Sequence, residues 1–310
     1  MNKESVDLIA DIVVIGEYKD PEKIENKLKE LDEIELNNQA QSKSKNVDDI
    51  LKKDIFELLN SPQKRPWSYT THQFGYIAPL ETVSSEPQPI LYPGTIAPDD
   101  TLKNSRINVR LDRLRVYEYP GRGTHNVMVT FATKNQVGDS EEVVSFNQTY
   151  RIPERNSAGI IGYPIFTGLN VGSQGVTLEC STINVKNKED DAILEALESN
   201  TFKIGLKLLT TTQPAIAPFT TISLGLVKSL AQKHRNVGVQ KLSLGLDFEN
   251  AAMGIRLAEG NYIAVQVPEE NTINWDNWVY QPNLGSIVHK ENGGSLEYNY
   301  FVFRISRYED

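Results

Sequence analysis

The chain has 310 residues, 39% of them apolar, and a formal net charge of −9. That length suits one large β domain with an appendage, or two domains, and the acidic balance argues against a nucleic-acid binder that works through a general basic surface. One cysteine, Cys180, cannot staple the fold internally. The opening residues lack a basic stretch followed by a clean apolar run, and the apolar run at residues 12–15 is far too short to cross a bilayer. The expectation is a soluble cytoplasmic protein with no signal peptide and no transmembrane segment.

Residues 8–15 read as one strand of mixed periodicity. Pro21 then opens a charged helix on which Ile24, Leu28 and Leu31 form a narrow apolar stripe. Residues 37–46 are polar and read as a flexible linker. Asn46 or Asp48 can cap a second helix with Ile50, Leu51, Ile55, Phe56 and Leu59 on its apolar side, ended by Ser61 and Pro62. Residues 64–103 carry six prolines among aromatic residues such as Trp67, Tyr69, Phe74, Tyr76 and Tyr92. Proline at that density excludes continuous helix and central strands, so this stretch is expected to be an extended arm packed on a folded surface.

The strongest sheet pattern starts at residue 106. Ile107, Val109 and Leu111 alternate with polar residues; the alternation resumes one residue out of phase at Leu114 and Val116. A one-residue slip flips every side chain to the other face unless a bulge absorbs it, so a single long strand bulged at Asp112–Arg113 is expected. Pro120 to Gly123 turns the chain. Val127, Val129 and Phe131, then Val144, Phe146, Tyr150 and Ile152, continue the alternation, which suggests a three-strand meander. Asn170 to Gly175 reads as a hairpin turn, and the phase of Val176, Leu178 and Cys180 points the cysteine inward. Residues 187–199 suit a helix, residues 201–209 a strand, and residues 221–235 the clearest helix, in which Gly225 would need a close neighbour to offset its cost. Strands return from Val237, with a second bulge expected at Gln240–Lys241. Tyr262 to Val267 is apolar on both faces, as in a strand covered on both sides.

The chain therefore divides into an N-terminal helical segment over residues 1–63, the arm over 64–103, and a mainly β domain over 104–310. The fold expected for that domain is an antiparallel β-sandwich of roughly eight to ten strands with two inserted helices. Its bulged strands, acidic loops and crossover helix resemble C2-type or jelly-roll-like sandwiches. No motif extends that likeness to particular residues.

Chemistry is less legible. His72, His125, His234 and His289 lack the spacing of a zinc pair. Asp139, Asp190, Asp191 and Asp247 fall in predicted loops or strand ends and are weak candidates for calcium; otherwise no cofactor is expected. Cys180 sits at an apolar phase position beside Glu179 and reads as core, not nucleophile. Arg122 and His125, in a glycine-rich turn, are candidates for facing an anion. Trp275, Trp278 and Tyr280, with Trp67 and Tyr69, are candidates for contacting a partner, since Trp and Tyr dominate binding hot spots. No G-x-S-x-G elbow or Walker lysine motif is present. The expected function is a non-catalytic protein-interaction module or accessory subunit. Calcium- or lipid-dependent membrane recruitment and a self-assembling shell subunit are the alternatives, and homo-oligomers are compatible with each.

Overall fold

The computed structural model describes residues 8–39, 65–79, 85–138, 140–199, 216–249 and 254–309. The second N-terminal helix expected at residues 48–61, most of the linker and the strand expected at 201–209 lie outside the described residues, as does Asp139.

Strand accounts for 47% and helix for 19%, which makes the protein mainly β, with antiparallel sheets packed together. The five-stranded sheet runs in the order β10 (Ile255–Arg256), β9 (Asn236–Asp247), β8 (Gly175–Val185), β4 (Thr124–Val137), β5 (Ser140–Pro153). The six-stranded sheet runs β1 (Thr71–Ile77), β11 (Gly260–Val267), β14 (Tyr300–Arg307), β3 (Arg106–Val116), and β3 also pairs with β6 (Asn156–Ser157) and β7 (Tyr163–Asn170). A small third sheet joins β13 (Ser286–His289), β12 (Trp278–Gln281) and β2 (Gln88–Pro89). Three helices complete the described chain: α1 (Pro21–Gln39), α2 (Asp191–Leu197) and α3 (Ile216–Gln232).

The alternating residues assign the layers. Val109, Leu111 and Leu114 of β3 with Phe301 and Phe303 of β14 meet Val129 and Phe131 of β4 and Cys180 of β8 in the main core. On the far side of the six-stranded sheet, Ile263, Val265 and Val302 pack with Trp275 and Ile287 in a second core under the small sheet. This is why Tyr262 to Val267 is apolar on both faces. On the far side of the five-stranded sheet, Ile9, Ile12, Met128 and Ile183 pack under Leu197, Val227 and Leu230 of the helices.

The bulge expected in β3 is present: Leu111 pairs with Phe303 and Arg113 with Val302, which leaves Asp112 as the extra residue. The second bulge lies one residue earlier than the pattern suggested. Thr182 pairs with Gln240 and Ile183 with Gly238, so Val239 is the inserted residue.

Four local expectations are corrected. The meander is split, because β3 pairs in the six-stranded sheet while β4 and β5 form a hairpin in the five-stranded one. The chain between them crosses the end of the sandwich, where the Asn299 carboxamide oxygen accepts from Tyr117 N (2.9 Å) and Glu118 N (3.0 Å) and Tyr119 is buried. Asn170 to Gly175 likewise links the two sheets and does not join paired strands. Residues 8–15 make only a single bridge, Val14 to Gly238, because Ile9 and Ile12 turn down into the helix-side core. Glycine is required at the bridge: a Cβ on Gly238 would stand 2.6 Å from Val13 O. Finally, Gly225 is exposed with nothing near its missing Cβ among the described residues, so none of them packs closely enough to offset it.

The Pro/aromatic stretch contributes Trp67 to the main core. It also supplies β1, an edge strand of its sheet, and the short β2.

Candidate functional site

The inward residues of β3 are buried apolar side chains, so its other face must point away from the main core. That face carries Arg106, Asn108 and Arg110, and the bulge keeps Arg113 and Arg115 on it as well. Were Asp112 paired as an ordinary ladder residue, with no bulge, Arg113 would point into the core. Arg304 of β14 stands directly opposite Arg110. Like charges in that relation repel, and Asp112 relieves the repulsion. Its Oδ2 accepts from Arg304 Nε (2.9 Å) and Nη2 (2.7 Å), and its Oδ1 accepts from Gly162 N (2.9 Å). The Asp112 side chain is 8% exposed and that of Arg304 43%, so the carboxylate lies beneath and the guanidinium reaches solvent.

Arg113 Nη2 donates to Leu284 O at 2.9 Å. Arg115 stands between Tyr300 and Ser157, half-buried, with its Nε buried and unpartnered among the described residues. Arg110 is exposed and has no hydrogen bond or ion pair among the described residues. Tyr280 closes one side: burial raises its phenol pKa, and Asp112 raises it further while Arg113 and Arg304 oppose. Two exposed apolar side chains flank the bulge. Ile161, 93% exposed, precedes the glycine bonded to Asp112, and Leu284, 64% exposed, carries the carbonyl bonded to Arg113. The sheet thus presents four guanidinium groups around one engaged carboxylate, on a chain whose net charge is −9.

A second polar cluster lies inside one end of the sandwich. Gln240 Nε2 donates to Tyr119 Oη (2.7 Å), which lies 2.8 Å from Thr182 Oγ1. Asn184 Nδ2 donates to Pro120 O (2.8 Å) and to His125 Nδ1 (3.1 Å). The neutral His125 ring then carries its proton on Nε2, which is buried without a partner among the described residues. Burial lowers the pKa of both His72 and His125 to about 4; Lys186 adds to the shift at His125. Thr182, Asn184, Gln240 and His125 are fully buried, so this cluster faces no solvent-borne substrate.

A groove of about 580 Å³ runs between α1 and the end of α3, past Tyr18, Lys19, Lys23, Lys27 and Glu30. Its lysines and carboxylates offset one another, with Glu30 paired to Lys27 and His234, and Glu17 to Lys241.

The residues nominated from the sequence are scattered. Trp67 lies in the main core, 5% exposed. Trp275 lies in the second core, with its indole N–H donating to Phe74 O at 2.8 Å. Trp278 packs edge-on against His289, and Tyr69 against Tyr298. Tyr280 alone of the five reaches the arginine cluster. Arg122 is exposed while His125 is sealed inside, so the glycine-rich turn does not bring the two onto one surface. Asp190 is fully buried and accepts from Lys233 and Asn236, where it ties α2 to the end of α3. Asp191 is exposed in the first turn of α2, and Asp247 is paired with Arg256 at 3.1 Å. Among the described residues no group of three or more His, Cys, Asp or Glu side chains could hold a metal ion, and no helix is long and apolar enough to cross a membrane.

The arginine face is not among the sites nominated from the sequence. Half of the signal is in β3, where Arg106, Arg110, Arg113 and Arg115 all take the outward phase once the bulge is counted. The other half, Arg304, becomes a neighbour only through strand pairing. No known family matches the chain, and no curated protein or solved structure is significantly similar to it.

Proposed function

We propose that the protein is a non-catalytic interaction module, or accessory subunit, that docks a partner protein on the arginine-bearing face of the six-stranded sheet. The observation behind this reading is the cluster Arg110, Arg113, Arg115 and Arg304 beside the exposed Ile161 and Leu284. Arginine and aromatic residues dominate interface energetics, and Arg304 and Arg113 are already held by Asp112 and Leu284 O, so these two lose less freedom when they bind. Asp112 supports the same reading, because it orients Arg304 and makes no hydrogen bond to the other guanidinium groups among the described residues.

The test is quantitative capture from the native host, with full-length wild type and the variant Arg110→Glu/Arg113→Glu as parallel baits. A partner retained by wild type and lost by the variant, with unchanged circular dichroism, is the expected result. Identical retained sets would remove the proposal.

A further inference from the structure

We infer that the occupant of this face is an acidic protein segment that carries apolar side chains among its carboxylates. This rests on the docking reading above and names the chemistry of the partner.

The donors on the face are mostly unspent. A guanidinium offers five N–H donors in a planar fork that matches a carboxylate. Arg304 spends Nε and Nη2 on Asp112, Arg113 spends one donor on Leu284 O, and Arg110 is exposed without a partner among the described residues. Arg113 and Arg115 stand two residues apart on one strand, and Arg110 faces Arg304 across the ladder. Alternate residues of an extended chain share one side and repeat on that same spacing, so a strand-like segment can set its carboxylates against the forks.

Apolar anchors come from the flanks. Ile161 and Leu284 are among the most exposed large apolar side chains of the described residues; Ile161 precedes the glycine bonded to Asp112, and Leu284 itself accepts from Arg113. Charge alone would also suit a nucleic acid. That partner gains its affinity from many phosphate contacts, and a chain of net charge −9 repels a long polyanion beyond the few arginines it touches. The rings beside the arginines, Tyr280 and Tyr300, are half-buried and buried in the packing of the second core and do not stand free as stacking platforms. A short acidic segment meets neither obstacle.

The experiment is selection of a random peptide display library on the full-length protein, followed by fluorescence anisotropy with the enriched peptides. The expected outcome is enrichment of Asp and Glu around Leu, Ile or Phe. Affinity should fall about tenfold or more in Arg110→Glu, less in Arg110→Gln, and severalfold in Ile161→Ser/Leu284→Ser. Because Arg110 is exposed, neither of its variants should disturb the fold, which a thermal melt verifies. Enriched peptides without acidic residues that still lose binding in Arg110→Glu would overturn this inference while leaving the docking reading in place. Peptides that bind Arg110→Glu as tightly as wild type, or no enrichment at all, would overturn both. Two further measurements can replace the acidic segment with another occupant. One is Arg110-dependent binding of a labelled single-stranded oligouridylate; the other is Arg110-dependent self-association in sedimentation velocity.

Discussion

His125 is a neutral imidazole locked in a protein interior, and that has a direct cost in acid. Its pKa in the folded protein is about 4, below the ordinary value of about 6.5, because burial disfavours the charged ring and Lys186 adds to the effect. His72 is shifted the same way, mainly by burial. Between those values the unfolded chain binds the proton and the folded chain does not. Stability is therefore complete above about pH 6.5 and declines as the pH falls toward 4, by up to about 3 kcal/mol for a fully buried ring. Urea denaturation of wild type at about pH 7 and about pH 4.5 should show this loss, and His72→Gln/His125→Gln should show a shallower one. Equal acid sensitivity in the two proteins would mean that carboxylates carry it instead. The same enclosure explains Cys180, whose thiol pKa burial raises well above its usual value. It lines the main core as its alternating phase implied.

At the scale of elements, bulges and glycines do different work. The bulge at Asp112 holds two arginines on the outer face of β3 and supplies the carboxylate that lets Arg304 stand opposite Arg110. Gly225 has no such role. It sits exposed in α3, with no atom of the described residues close to where a Cβ would lie. Gly225→Ala should therefore stabilise the protein by about 0.5–1 kcal/mol, seen as a higher denaturation midpoint at constant slope. A neutral or destabilising result would indicate that the glycine serves an interaction made by α3. Helix α3 ends at Gln232, three residues before the expected end: Arg235 takes a left-handed turn (φ 67), and Asn236 Nδ2 donates back to Leu230 O at 3.1 Å.

At the scale of the whole molecule, the six-stranded sheet is buried on both faces over part of its area, and Trp275 is the largest buried side chain in the cluster that covers its outer face. Its ring stands 2.9 Å from where a Cβ on Gly75 would lie, next to Ile90 Cγ2 at 2.8 Å, and it packs in the second core between that sheet and the small one. Trp275→Ala should cost about 3–5 kcal/mol in chemical denaturation, and a loss below about 1 kcal/mol would show that the small sheet is held by other contacts. Much of this architecture can be read from residue order alone. Side-chain alternation has a period of two, so the phase of Ile107 to Val116 assigns an inner and an outer face and requires a bulge wherever the phase slips; Tyr262 to Val267 announces a strand covered on both sides in the same way. Partners across sheets leave no such trace. That β3 and β4 part into different sheets, that Arg304 faces Arg110, that Arg122 and His125 point to opposite sides of one turn, and that Trp67 and Trp275 fill separate cores all depend on contacts between residues far apart in the chain. Periodicity reports which side of its own strand a residue takes; only the packed structure decides what lies opposite.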